Sequence, residues 1–129
     1  MFEPIPESTE RIAKVVLDAA FAVHRELGPG LLESIYEACV CHELTKRGMP
    51  FEKQVILPVI YDSVCLDTEL RLDLLVAETV IVELKSVEMM HPLYEAQLLT
   101  YLKLTRKRLG LLLNFNVELL KNGIKRVVL

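Results

Sequence analysis

Apolar residues recur every three to four positions at Ile12, Val15, Val16, Ala19, Ala20, Val23 and Leu27, which predicts an amphipathic helix. Ser8 or Thr9 is placed to cap it, with Glu10 in its first turn, and Gly28-Pro29-Gly30 ends it. A second helix is predicted from Leu31 to Lys46, with Leu32, Ile35, Tyr36, Cys39 and Val40 as its apolar stripe, closed by Gly48-Met49-Pro50. The pattern then turns to strands. Phe51 to Tyr61 reads as a strand in which Pro58 marks an edge or a bulge. After an Asp62-Ser63 turn, Leu66 to Val76 alternates, with Leu70, Leu72, Leu74 and Val76 on one face and Glu69, Arg71 and Asp73 on the other. Ala77-Glu78-Thr79 turns the chain into a strand over Val80 to Lys85. A third helix starts near His91-Pro92 and runs to Leu104, followed by a strand over Leu111 to Phe115. Asn122-Gly123 then leads into a last strand over Ile124 to Leu129. This order, α-α-β-β-β-α-β-β, predicts an α/β (α+β) fold with a central mixed sheet flanked by helices, in one domain over 1–129.

Composition narrows the class. Hydrophobic residues make up 52% of the 129 and charged residues 26%, which excludes a disordered or low-complexity chain. No apolar run approaches the ~18 residues of a membrane span. The acidic, Pro-containing stretch from Met1 to Arg11 does not read as a secretory leader, so the expected location is cytoplasmic, with no membrane partner. Three cysteines without a CxxC speak against a disulfide scaffold or a four-Cys zinc site. The net charge of −3 hides an asymmetry: residues 1–100 carry 8 Lys and Arg against 17 Asp and Glu, whereas residues 101–129 carry 7 against 1. The basic end either offsets the acidic front on a solvated surface or meets a polyanion.

The candidate chemistry lies where the pattern breaks. Val80-Ile81-Val82-Glu83-Leu84-Lys85 reads as an interior strand, yet it carries a carboxylate and an ammonium on one face. Burying such ions unpaired costs several kcal/mol each. Opposed residues of a hairpin point the same way, and a turn centred on Glu78 pairs residues whose numbers sum to 156. Asp73 then faces Glu83, with Cβ atoms about 5 Å apart. Two carboxylates that close stay ionised together only when a cation joins them. Oxygen ligands with open positions suit Mg²⁺ or Mn²⁺. The bland alternative is a charge ladder in which Arg71 and Lys85 pair with Asp73 and Glu83. Gln97 and Tyr101, four apart, share a helix face. Glu33 suits a helix N-terminus on dipole grounds alone, and is also a third carboxylate for an ion held by the hairpin. Cys39-Val40-Cys41-His42 reads as core plus surface rather than a metal cluster, His24 and His42 as surface or core, and His91 as part of the start of its helix.

Gly30-x-x-Glu33-x-x-Tyr36 resembles the motif that names the GxxExxY proteins, a group of small bacterial and archaeal proteins placed in the PD-(D/E)XK nuclease superfamily. Arg71 to Val76 and Val80 to Lys85 are similar to its central block, and Glu95 to Tyr101 to its next helix. The resemblance implies a restriction-endonuclease-like α-β-β-β-α-β core. It implies Asp73 as the Asp before the hairpin, Glu83-x-Lys85 as the (D/E)XK element, Glu33 as the helical Glu, and Gln97 and Tyr101 as the QxxxY element of RecB-type nucleases. No Pro precedes Asp73, and Leu70-Arg71-Leu72 replaces the Gly that RecB-type nucleases carry ahead of the Asp.

The expected function is phosphodiester hydrolysis on nucleic acid with Mg²⁺ or Mn²⁺ held by Asp73, Glu83 and Glu33, while Lys85, Gln97 and Tyr101 act on water, phosphate or base. Lys103, Arg106, Lys107, Arg108, Lys121, Lys125 and Arg126 are the candidate backbone contacts. A non-catalytic module that binds nucleic acid or protein is the alternative. A structural protein, dimeric through its apolar C-terminal strands, is the third reading.

Overall fold

The helical start and the strand-rich middle meet in a layered arrangement in the computed structural model, which describes residues 3–129. Helix α1 spans Glu7–Leu27 and α2 spans Glu33–Lys46. Strands β1 (Phe51–Tyr61), β2 (Val64–Val76) and β3 (Val80–Lys85) follow, then α3 (Pro92–Thr105), β4 (Leu109–Asn114), a single 3₁₀ turn over Leu120–Gly123, and β5 (Ile124–Val128). The sheet order is β1-β2-β3-β4-β5. Only β3 and β4 run parallel, and the connection between them is α3. The predicted mixed sheet with flanking helices is therefore the observed fold.

Both faces of the sheet centre are covered. On one side α1 and α2 bring Val16, Ala19, Ala20, Val23, Tyr36, Val40 and Leu44 against Leu74, Val76, Val80, Val82, Leu84, Leu109, Leu111 and Leu113. On the other, Leu98, Tyr101 and Leu102 of α3 cover Leu72, Ile81, Leu112 and Val127. This two-sided cover explains why β4 is buried at every position and is apolar up to its last residue, Asn114.

The expected alternation that sets Leu70, Leu72, Leu74 and Val76 on one face of β2 is broken, since Leu74 and Val76 enter the core under α1 and α2 while Leu70 and Leu72 enter the one under α3. Two helix expectations are corrected as well. Neither Ser8 nor Thr9 caps α1. The helix begins already at Glu7, behind Pro6, whose carbonyl accepts from the Glu10 amide at 3.1 Å, and Thr9 is buried within it. Glu7 and Glu10 lie in the first turn, where the helix dipole favours them. The buried face of α2 keeps Tyr36 and Val40 of the expected stripe and adds Cys41 and Leu44, in place of Leu32 and Ile35. Leu32 precedes the helix on extended backbone and is 70% exposed, and Ile35 is 40% exposed. The run at 36, 40 and 44 wins because it alone continues to the end of the helix, where Met49 joins the same core. Of the two cysteines, Cys41 is the core residue and Cys39 the half-buried one. Both remain free, as does the exposed Cys65.

The turns match their expected places. Asp62 and Ser63 both have positive φ, as do Ala77 and Glu78, so each hairpin closes on two left-handed residues. Pro58 lies on the edge strand β1, at a register shift between Pro58 and Ile60. Gly123 is buried, and a Cβ there would run into the Asn114 carbonyl oxygen. Gly123→Ala is expected to lower the unfolding free energy by about 1–3 kcal/mol, read by urea denaturation.

Candidate metal centre

The β2–β3 ladder pairs Leu74 with Val82, Leu75 with Ile81 and Val76 with Val80. Each pair sums to the predicted register. One rung further the backbone pairing stops, and the side chains of Asp73 and Glu83 take over. The Asp73 amide donates to Glu83 Oε2 at 2.7 Å, and the Leu84 amide donates to Asp73 Oδ2 at 2.8 Å. Each carboxylate is thus oriented by a main-chain donor of the opposite strand, and Asp73 Oδ1 and Glu83 Oε1 take no part in these bonds.

Glu83 is only 6% exposed. Burial, followed by the nearby Asp73 charge, pushes its pKa up to about 8, against the pull of the Asp73 amide and Lys85. Without a cation, folding therefore favours a protonated Glu83. In chelator the unfolded chain releases this proton near pH 4.5 and the folded chain near pH 8. Stability should fall as pH rises through that window, by at most about 1.4 kcal/mol per pH unit, and level off above it. Urea midpoints from pH 5 to 9 check this. Glu83→Gln, which keeps an acceptor for the Asp73 amide, should flatten the profile.

Lys85 follows on the same strand. Its Nζ lies 4.5 Å from the centre of the Tyr94 ring, a cation–π contact from α3. Among the described residues, neither Lys85 nor the exposed Arg71 forms an ion pair with Asp73 or Glu83. The charge-ladder reading of the hairpin therefore has no contact behind it.

From α3, Tyr101 lies in the field of the pair. It is 5% exposed, and its pKa is raised by burial and then by the charges of Glu83 and Asp73. Gln97, one turn earlier and exposed, acts on Tyr101 in the opposite sense. His91 caps this helix, its Nδ1 accepting from the Leu93 amide at 3.0 Å. His24 is a core residue whose Nε2 bonds the Val117 carbonyl at 2.7 Å, and His42 is exposed.

From α2, two carboxylates are set differently toward the pair. Glu33 Oε2 lies 3.4 Å from the Ser86 amide, just past Lys85. Glu37, one turn further along the helix, is the one whose pKa is raised by burial and then by Asp73. Glu37 was missed in the sequence, although its i, i+4 spacing from Glu33 puts both on one helix face. The third residue of the Gly30-Glu33-Tyr36 motif has a structural task. The Tyr36 hydroxyl donates to the Gly28 carbonyl at 2.6 Å and accepts from the Leu31 amide at 3.2 Å, while its ring stacks on Phe115 at 4.5 Å. Ser86 Oγ donates to the Leu31 carbonyl at 2.6 Å, so the loop that carries Glu33 is fastened to the end of β3. Gly30 has a φ of 97°, which only glycine adopts readily.

Among the described residues, no three His, Cys, Asp or Glu side chains converge as a finished metal cage. The donors present still fit a hard cation. Mg²⁺ commonly takes one or two carboxylates and keeps several waters. Here a half-buried Asp73 and a nearly buried Glu83 lie close together, an arrangement that disfavours charge on Glu83 without a counter-ion.

Neither a curated protein nor a solved structure matches this chain. A family model does, described as the PD-(D/E)XK nuclease superfamily and covering residues 10–127. With that match across nearly the whole length and an Asp and a Glu-x-Lys meeting on adjacent strands of a mixed sheet, the chain belongs to the PD-(D/E)XK nuclease superfamily.

Proposed function

We propose that this chain is a Mg²⁺- or Mn²⁺-dependent phosphodiester hydrolase acting on nucleic acid, and that it falls within the GxxExxY group of its superfamily. The observation that carries the reading is the Asp73–Glu83 pair, held by reciprocal side-chain-to-backbone bonds with Glu83 nearly buried. Asp73 and Glu83 would hold the ion, with Glu33 or Glu37 beside them. A bound divalent ion polarises a phosphoryl oxygen and lowers the pKa of its water. Lys85 places a positive charge beside the pair, where it would orient the attacking water or stabilise charge building on the phosphate. The Tyr101 hydroxyl, kept protonated by its surroundings, would donate to a phosphate oxygen, with Gln97 as a second donor at the solvent side.

The basic segment supports a short contact rather than a long track. Lys125 pairs with Glu95, Arg126 with Glu10, and Arg108 holds the carbonyls of Glu3 and Leu129. That leaves Lys103, Arg106, Lys107 and Lys121 for phosphates.

Titration calorimetry with Mn²⁺ tests the reading. Wild type should bind near one ion per chain, and Asp73→Asn should lose that binding while staying folded, because Asn still accepts from the Leu84 amide. Binding of equal strength in both would move the ion elsewhere. A second reading, a non-catalytic protein-binding module, draws on the exposed Ile56, Ile60, Tyr61 and Val64 at the outer end of the β1–β2 hairpin. Such a module would capture its partner with chelator present.

A further inference from the structure

We propose that Gln54 is a positioning residue for Asp73, acting through a left-handed kink that reverses the faces of the β1–β2 ribbon at this one rung. The inference rests on the reading of Asp73 as a metal-holding residue.

The kink is visible in the pairing. Lys53 pairs with Leu74 and Val55 with Leu72, so one register runs on both sides of Gln54 and Asp73, yet these two residues form no rung between them. Gln54 has a φ of 52°, in the middle of an edge strand. Positive φ belongs to glycine and, less often, Asn or Asp, and a glutamine held there is a strained residue. Strict alternation would put Leu72 and Leu74 on the same face. Instead Leu74 joins the core under α1 and α2, whereas Leu72 joins the core under α3. The partner strand switches in the same way: Phe51 packs with the first core, Val55 and Leu57 with the second.

Asp73 is the residue on which the ribbon turns. Because the faces exchange there, its side chain is released from the alternation and lies across to β3, where Oδ2 takes the Leu84 amide. Without the turn, Asp73 would continue the face opposite Leu72 and Leu74, as the simple pattern predicts. The Gln54 side chain is anchored as well: its Nε2 donates to Glu37 Oε2 at 2.9 Å, which ties the kink to α2. Glu37 lies in the field of Asp73 as well. The sequence carries a trace of this device, since Glu52-Lys53-Gln54 places three polar residues in a row where alternation would set Lys53 beside Phe51 and Val55.

The test separates backbone from side chain. Gln54→Gly adopts positive φ freely but loses the bond to Glu37; Gln54→Val resists positive φ because it is β-branched. Gln54→Asn, which tolerates left-handed backbone, serves as the conservative variant. Two readouts are taken on each folded protein: amide hydrogen exchange at Asp73 and Leu84 without metal, and Mn²⁺ affinity by calorimetry. Gln54→Val should speed exchange at Asp73 and Leu84, relative to Val76 and Val80, by about tenfold and weaken Mn²⁺ binding by a similar factor. Gln54→Gly and Gln54→Asn should keep both within about threefold of wild type, even if the loss of the Glu37 bond lowers their thermal midpoints. A Val variant that matches wild type in exchange, or a Gly variant as impaired as Val, would overturn the role. Should wild type bind no Mn²⁺, the metal reading of the pair fails, and the exchange data alone decide whether Gln54 orients Asp73.

Discussion

Lys85→Ala should lower divalent-dependent cleavage of a nucleic-acid substrate by about 10²–10³-fold, the usual loss when one preorganised donor is removed from developing negative charge. The expected loss is specific because Lys85 is not a ligand in the proposed arrangement and makes no ion pair with Asp73 or Glu83. Mn²⁺ binding should therefore persist, strengthened slightly if anything, since a neighbouring positive charge is removed from the carboxylate pair. The Lys85 side chain is half-buried and rests on the Tyr94 ring, so its truncation removes one cation–π contact, worth about 0.5–1 kcal/mol at such sites. Single-turnover cleavage at saturating Mn²⁺, paired with calorimetry on the same sample, checks both parts. Cleavage at the wild-type rate would remove Lys85 from the chemistry.

Tyr36→Ala should lower the unfolding free energy by about 3–5 kcal/mol, a large share of the 5–15 kcal/mol that holds a domain folded. Tyr36 is fully buried, and its ring is stacked on Phe115 at an angle of 14°. Truncation leaves a cavity between α2 and the end of β4 and strips two polar groups, the Gly28 carbonyl and the Leu31 amide, of their partner. Tyr36→Phe keeps the ring and should lose only about 1–3 kcal/mol for those polar groups. The difference between the two variants in urea denaturation separates packing from hydrogen bonding. Both should also loosen the Gly28–Leu32 loop, and with it the contact of Glu33 with the Ser86 amide. If Tyr36→Phe proves as damaging as Tyr36→Ala, the hydroxyl rather than the stack holds the loop.

Element order, both tight hairpin turns and the register that sets Asp73 against Glu83 were legible in the residues. Each follows from short-range rules: period 3.6 against period 2, turn residues, and the parity of an antiparallel pair. The same arithmetic found the Glu-x-Lys strand, because two ions in an interior strand are costly enough to need a reason. The face of α2 was misjudged because Leu32 and Ile35 are as apolar as the residues that are buried. Only contact with α1 and the sheet selects among overlapping stripes on one helix. Ser8 and Thr9 were good capping residues in isolation, but Pro6 starts the helix ahead of them.

By itself the sequence determined which segments are helix or strand, the mixed sheet they build, and the opposition of two carboxylates across one hairpin. The first and last of these depend on residues near each other along the chain, while the mixed sheet follows from the order of elements, its parallel pairing joining Val80 to Leu109 across α3. Tertiary structure decided that Glu37 shares the field of Asp73, that Lys85 rests on Tyr94, that Tyr36 fastens the loop before α2, and that the ribbon turns over at Gln54. Those choices are made by packing between distant segments. One core on each side of a single sheet must be filled at once, and a rotated helix or a strained φ is retained where the contacts around it outweigh its local cost.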